Sequence, residues 1–145
     1  AAATTAIVAI AVVMAVPLRG MTDATGELEH VVTVEEGTAT TYREAANRFR
    51  NGWITADALA EVIDSGVLPE LTATRTRVES LDKVPMEQQT LVAACKEYLR
   101  LRDEGWRVRA AALRRASMAQ LREADTIDGA SLEILRQIKA AAPKS

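Results

Sequence analysis

The sequence has one cysteine, one histidine and few aromatic side chains. The single cysteine, Cys95, excludes an internal disulfide framework and a zinc site built from cysteines. A net charge of −2 gives no global field that would attract nucleic acid. Only Trp106 lies near the arginine-rich segment, which therefore lacks the stacking platform of a single-strand binder. We expect no nucleic-acid partner. The aromatic residues are Tyr42, Phe49, Trp53, Tyr98 and Trp106.

The chain also lacks the motifs of common catalytic and nucleotide-binding sites. It contains neither G-x-x-x-x-G-K nor G-x-G-x-x-G, and His30 has no candidate nucleophile near it in sequence. His30 could ligate a haem or chlorophyll metal that a partner supplies, but Glu29, one residue away, does not share its helical face. We predict a non-catalytic protein with no metal and no cofactor of its own, in which His30 is the one candidate cofactor ligand. Cys95 is expected to be a small buried side chain.

The sequence does have a run without charged side chains at its beginning, AAATTAIVAIAVVMAVPL, over residues 1–18. As a helix this run would be about 27 Å long, against a bilayer core of about 30 Å. Pro17 and Gly20 would end the helix, and the Arg19 guanidinium could reach the headgroups. We predict a short transmembrane anchor over residues 1–20, with a signal-peptide core and a buried core helix as the alternatives.

Two groups of residues are predicted to contact the membrane or a partner. Small residues in the anchor permit close packing with other membrane helices. The segment 21–44 is acidic and the segment 96–122 is basic, so these segments either pair with each other or present a basic face to an acidic partner or to headgroups. The anchor contacts are Ala6, Ile7, Ala9, Ile10, Val13 and Arg19, and the basic face is Arg107, Arg109, Arg114 and Arg115.

After the anchor we predict a linker over 21–26 and one helical domain over 27–142. Apolar residues recur at three- and four-residue steps in four segments, each about 40 Å long as a helix. Matched lengths and the lack of period-two alternation predict an all-α fold, a short transmembrane helix followed by an up-and-down four-helix bundle. The segments are 24–51, 55–82, 86–115 and 117–142.

Three breaks divide these segments. Gly52 is a plausible cap after the first segment and Thr55 an N-cap for the second. The second segment is expected to break near Gly66, with Pro69 opening the next piece. The third and fourth segments either form one long rod or fold back near RRASM, and their lengths favour folding back.

The first segment carries a seam whose members alternate steps of four and three residues. We expect the whole seam to belong to the core. On that basis Phe49→Ala should lower the free energy of unfolding by about 3–5 kcal/mol. The seam residues are Leu28, Val32, Glu35, Ala39, Tyr42, Ala46, Phe49 and Trp53.

Several stretches follow one another in a distinctive order: TYREAANRFRNGWITADALAEVIDSGVLPEL, then ATRTRVESLDKVP, then VAACKEYLRLRDEGWRVRAAALR. This order resembles a helical domain after the last membrane span of some bacterial rhomboid-like membrane proteins, across about residues 5–115. The catalytic domain of that family is an intramembrane serine protease with a Gly-x-Ser-Gly motif and a separate histidine. DGASL has Leu132 where the motif needs glycine. The resemblance therefore implies a membrane-proximal helical domain without protease activity.

These observations predict a single-pass, membrane-anchored helical protein. We expect an accessory or structural subunit of a larger, energy-transducing membrane complex. Its partners would be that integral membrane complex and the lipid bilayer, the latter through residues 1–18. The expected location is the bacterial inner membrane, with the helical domain on the periplasmic side. The alternatives are the extramembrane domain of a rhomboid-like intramembrane protease and a secreted helical binding module.

Overall fold

A computed structural model describes residues 20–141 of the chain. This part is all-helical and contains no strand, which confirms the predicted all-α class and the helical bundle. Each predicted segment corresponds to one helix or to one interrupted helix. The helices are α1 (Thr25–Arg50), α2 (Ala56–Val62), a π-helical turn (Ile63–Val67), α3 (Leu68–Glu79), α4 (Met86–Arg115) and α5 (Met118–Ala141).

The predicted anchor contacts, Ala6, Ile7, Ala9, Ile10, Val13 and Arg19, lie outside the described residues. Between residues 20 and 141, no helix combines the length and the apolar character that a membrane span requires. The anchor therefore stays a prediction from the sequence.

The segment predicted to be a linker is attached to the start of α4. The backbone N–H of Ala24 donates to Gln88 Oε1 at 2.8 Å, and that of Thr22 donates to the Lys83 carbonyl at 3.1 Å. Asp23 accepts a hydrogen bond from the backbone N–H of Thr25, which lowers the pKa of Asp23. Ala24 is completely buried, so the N-terminal end of α1 has a fixed place in the fold.

The breaks around the second segment follow their predicted chemistry. Gly52 has a φ of +73°, and the Thr55 hydroxyl accepts a hydrogen bond from the backbone N–H of Ala58 at 3.1 Å. Near Gly66 the chain forms the π-helical turn and continues into α3, with Pro69 in its first turn. A Cβ at Gly66 would lie 3.3 Å from Thr41 Cγ2 of α1, so this glycine lets the turn approach α1 closely.

Helices α4 and α5 fold back on each other, which excludes the single long rod. Ala116 adopts the left-handed conformation, with φ 50° and ψ 39°. The backbone N–H of Ser117 then donates to the Ala112 carbonyl at 3.0 Å. This closes the end of α4 in the manner of a helix-terminating motif that usually holds glycine.

One apolar cluster joins the helices. Its largest fully buried aliphatic members include Leu28 of α1, Ile63 of the π turn, Leu71 of α3 and Leu99 of α4. Helix α5 adds Leu135 and Ile138, yet its Cα atoms come within 8 Å of α4 alone among the helices. The fold is therefore a body of α1 to α4 with α5 packed on α4, and α1 and α5 stand apart.

The seam prediction for α1 is right for its first members and wrong for its last two. Leu28, Val32 and Glu35 are buried, whereas Phe49 is 38% exposed and Trp53 is 72% exposed. Phe49 lies in the last turn of α1, which ends at Arg50, and Trp53 follows the turn at Gly52, so the helical row does not continue to Trp53. The decrease of about 3–5 kcal/mol in the free energy of unfolding, expected for a buried phenylalanine, therefore does not apply to Phe49→Ala.

Candidate functional site

Five polar side chains from three helices meet between α1, α4 and α5, and we call them the ionic cluster. They are Glu35 of α1, Tyr98, Arg102 and Arg109 of α4, and Asp128 of α5. Tyr98 and Arg102 lie on the same face of α4, since they are four residues apart. The cluster links α1 to α5 through α4.

Arg102 lies at the centre of the ionic cluster and is only 5% exposed. Its Nε and Nη2 atoms donate to the two carboxylate oxygens of Glu35, at 2.9 and 2.7 Å. Its Nη1 atom lies 3.0 Å from Asp128 Oδ1. The Tyr98 hydroxyl also donates to Glu35. One guanidinium thus compensates two buried carboxylates on different helices.

Asp128 is shared between two arginines. Arg109 Nη2 lies 2.6 Å from Asp128 Oδ2 and 2.6 Å from Asp125 Oδ1. Gly105 makes room for this arrangement, because a Cβ there would lie only 2.3 Å from Asp128 Oδ1. A side chain at position 105 would therefore push Asp128, and α5 with it, away from α4.

Aromatic rings cover the two arginines. The Arg102 guanidinium carbon lies 4.8 Å from the centre of the Trp106 ring, and that of Arg109 lies 5.8 Å from the Tyr42 ring. Tyr42 and Trp106 meet edge to face with 4.7 Å between their centres. Cation–π contacts of this kind are strongest where water is excluded, so the rings reinforce the cluster.

The protonation states within the cluster are firmly set. Burial raises the pKa of Tyr98 well above its usual value, and the neighbouring Glu35 raises it further. Burial alone would lower the pKa of Arg102, but its hydrogen bonds to Glu35 and the attraction of that carboxylate raise it. Tyr98 therefore stays a neutral donor and Arg102 stays a cation near neutral pH, so neither side chain changes its charge there.

Beside the cluster lies an open cavity of about 290 Å³, which we call the α1–α5 groove. Helix α4 supplies its floor, and α1 and α5 supply its two walls. Arginines outnumber carboxylates along it, and it has an apolar strip of alanine, leucine and aromatic side chains. Its lining residues are Ala39, Tyr42, Arg43, Ala46, Arg50, Arg102, Trp106, Arg109, Asp128 and Leu132.

The predicted basic face divides into two parts. Arg107, Arg114 and Arg115 line one shallow cleft together with Asp64, and Arg114 pairs there with Asp64. Arg109 instead lies on another side of α4, in the ionic cluster, because two residues along a helix turn the side chain by about 200°.

His30 lies on α1 beside a cavity of about 280 Å³. Its Nε2 atom is 3.4 Å from Arg77 Nη1, and Arg77 also binds Glu27 at 2.8 Å. Across residues 20–141, no three or more His, Cys, Asp and Glu side chains are grouped so as to hold a metal ion. A ligand role for His30 stays a hypothesis without further support.

Cys95 is completely buried in the apolar cluster. This burial raises the pKa of its thiol to about 12. Since the thiolate is the reactive form, Cys95 acts as an apolar side chain, which confirms the sequence prediction.

The sequence alone identifies Glu35 only as a member of an apolar seam and Tyr98 only as one of the few aromatic residues, and it does not single out Arg102 or Asp128. A charged residue at a seam position, as Glu35 is, was the available signal, because a buried carboxylate requires a cationic partner. The choice of Arg102 among the arginines of α4 depends on how α1 and α4 pack. No protein-family model, curated protein or solved structure matches the chain, and the resemblance to rhomboid-like proteins stays a prediction.

Proposed function

We propose that this protein is a non-catalytic helical interaction protein and an accessory or structural subunit of a larger membrane complex. One observation carries the proposal. The buried charged side chains of the ionic cluster are bound to one another, whereas aromatic and basic side chains are exposed near the C-terminal end of α1. The buried polar side chains hold the helices together, and the exposed side chains at the C-terminal end of α1 are suited to binding another protein.

The interior side of this division is the ionic cluster together with Cys95. Arg102 and Glu35 are each about 5–6% exposed and are hydrogen-bonded to each other. Tyr98 and Cys95 are fully buried, with pKa values raised by burial. Such groups lack the access to a substrate that nucleophiles and general bases require.

The exposed side of the division lies on the last turns of α1 and just beyond them. Trp53 and Phe49 are large apolar side chains in contact with water, and aromatic residues and arginines are enriched where proteins bind one another. Among residues 20–141, most arginines pair with a carboxylate. Arg43, Arg48 and Arg50, in the last turns of α1, have no such partner there, and neither do Arg115 of α4 and Arg122 of α5.

Association with a membrane complex is supported by the uncharged run over residues 1–18. We extend the proposal to the bacterial inner membrane, to an energy-transducing complex and to a periplasmic location of the helical domain. The small residues Ala6 and Ala9 would let another membrane helix pack closely on this run.

The test is the mass of the particle that a mild detergent extracts from native membranes. The expected result is a large particle of fixed stoichiometry that contains this chain. A chain that emerges alone, near its own 15.7 kDa plus detergent, would contradict the proposal.

A matched variant tests the anchor separately. Ile10→Arg with Val13→Arg should release the chain into the carbonate-washed soluble fraction, because each arginine costs about 2.5–3.5 kcal/mol at the centre of a span. Recovery of the unaltered chain in that soluble fraction would instead favour a secreted binding module.

A further inference from the structure

We infer that the α1–α5 groove is a docking site for an acidic amphipathic helix of a protein partner. This inference rests on the proposed function, because it names where the interaction protein binds and what chemistry the bound segment has. Three features of the groove support it: its shape, the apolar row along α1 and its charge.

The shape of the groove matches a helix. It follows α1 from Ala39 to Arg50, a distance of about 16 Å, or three helical turns. Its two walls are the helices α1 and α5, whose Cα atoms do not come within 8 Å of each other. Ala39 and Ala46 on the α1 wall leave space for a closely packed backbone. A groove between two helices that is open along its length accepts an added helix by the same packing rules as the bundle itself.

The apolar row on α1 extends beyond the part of the helix that is buried by other helices of the chain. Leu28 and Val32 are buried, Tyr42 and Ala46 are half-buried, and Trp53 is largely exposed. The positions from Leu28 to Ala46 belong to one row on α1 at alternating four- and three-residue steps, the pattern that packs against a partner helix. Trp53 lies just beyond the end of the helix at Arg50. The first half of the row has its partner within the chain. The second half has the same spacing but lacks a covering helix among residues 20–141.

The charge of the groove selects the partner. Arg43 and Arg50 are exposed at its edge and have no carboxylate partner among the described residues. They are seven residues apart on α1, so their side chains are about 10 Å apart on the same face. Acidic residues two turns apart on a docking helix have the same separation. Opposite charges in this arrangement set the orientation of the partner and exclude basic segments.

The test uses two synthetic helical peptides of about three heptads that share one seam of leucine and alanine. One peptide has glutamate beside the seam and the other has lysine. The readout is the NMR resonances of the indole N–H groups of Trp106, in the floor of the groove, and Trp53, three residues beyond Arg50 at the end of α1. Backbone amides of α3, which does not line the groove, serve as the internal reference.

The expected result is that the glutamate peptide shifts both indole resonances and leaves the α3 amides unchanged. Binding should weaken at about 0.5 M salt, where charge attraction is screened. Equal binding of the lysine peptide, absence of binding by the glutamate peptide, or shifts confined to α3 would overturn the inference. The same shifts with free glutamate alone would also overturn it, because the groove would then be a site for small anions.

Charge reversal at the groove edge gives the matched variants. Arg43→Glu with Arg50→Glu should weaken binding of the glutamate peptide by about tenfold or more. Lys96→Glu with Arg122→Glu changes the net charge equally at exposed positions outside the groove and away from the end of α1, and should leave binding within about twofold. Equal weakening by both pairs would mean that net charge alone governs the interaction.

The same variants separate this inference from the proposed function when each is expressed in native membranes. If the unaltered chain is extracted alone, the proposed function fails whatever the peptides do. If the large particle survives Arg43→Glu with Arg50→Glu, the docking site is wrong and the proposed function stands. Loss of the particle in that variant only, and not in the control pair, supports both.

Discussion

Helix α4 takes part in two regions that are held together by different forces. In the apolar core, Cys95 and Leu99 of α4 pack among aliphatic side chains from the neighbouring helices. In the ionic cluster, Arg102 of the same helix binds Glu35 and Asp128 through directed contacts of about 3 Å, and Tyr98 donates to Glu35. The two regions are within one helical turn of each other on α4, yet they contribute to the structure in different ways.

The difference lies in how sharply each region defines position. Apolar contacts scale with buried area and tolerate small shifts between helices, whereas the ion pairs are formed only at one register. This matters most for α5, which packs on α4 alone and could otherwise slide along it. Buried polar groups can fix register at some cost in stability. We therefore assign most of the stability to the apolar core and the placement of α5 to the ionic cluster.

The largest expected effect is that of Arg102→Ala. This change leaves Glu35 and Asp128 buried without their cation, and breaking a buried pair in this way costs about 3–5 kcal/mol. The measurement is the free energy of unfolding from denaturant titration. Arg100→Ala is the control, because Arg100 pairs with Glu97 and Glu104 in water and its loss should leave the midpoint nearly unchanged. Similar losses for both arginines would remove the distinction between cluster and surface.

The second comparison is between the two ends of the α1 row. Leu28→Ala opens a cavity in the apolar core and should cost about 2–5 kcal/mol. Phe49→Ala removes a ring that is 38% exposed and should cost clearly less, by the same titration. A cost for Phe49→Ala as large as that for Leu28→Ala would show that the C-terminal half of the row is covered in solution.

The third prediction concerns the glycine beneath Asp128. Gly105→Ala places a methyl group against Asp128 and should cost about 1–3 kcal/mol, the usual effect of overpacking. Gly129→Ala is its control on α5, where a Cβ meets nothing within 4 Å. That change should stabilise the protein by about 0.5–1 kcal/mol, because alanine loses less entropy than glycine in a helix. Equal and small effects at the two glycines would mean that α5 is free to move away.

The smallest effect is expected at the turn between α4 and α5. Ala116 has a positive φ, which favours glycine over a residue with a Cβ. Ala116→Gly should raise the free energy of unfolding by about 1 kcal/mol, measured as an increase in melting temperature. A lower melting temperature would show that the turn does not adopt this conformation. The ionic cluster alone would then fix the position of α5 on α4.

Much of the fold could be predicted because it depends on local signals. The four segments follow from helical periodicity, and Gly52, Thr55 and Pro69 mark helix ends through backbone chemistry that neighbours do not alter. The exposure of Phe49 and Trp53 could not be predicted in the same way. Periodicity shows which residues share a face, but it does not show whether another helix covers that face.

The ionic cluster illustrates the same limit at the level of single residues. Arginines are frequent in α4, and nothing local distinguishes buried Arg102 from exposed Arg100 or Arg107. Arg102 is the buried arginine because it meets two carboxylates. Glu35 lies 67 residues before it in the chain, and Asp128 lies on the next helix. The role of Gly105 in admitting Asp128 depends in the same way on the distance between α4 and α5, which the sequence does not show.

The most direct test of the account is residue-by-residue native-state hydrogen exchange in a variant whose cluster is apolar: Glu35→Leu, Arg102→Met and Asp128→Leu. Replacing a buried ion-pair network by apolar side chains is often neutral or stabilising by about 1–4 kcal/mol. We predict that amides of α1 to α4 keep or gain protection, while amides of α5 exchange through a separate opening of lower free energy. If α5 keeps the same protection relative to α4 as in the unaltered protein, the ionic cluster does not place α5, and the assignment of roles to the two regions is wrong.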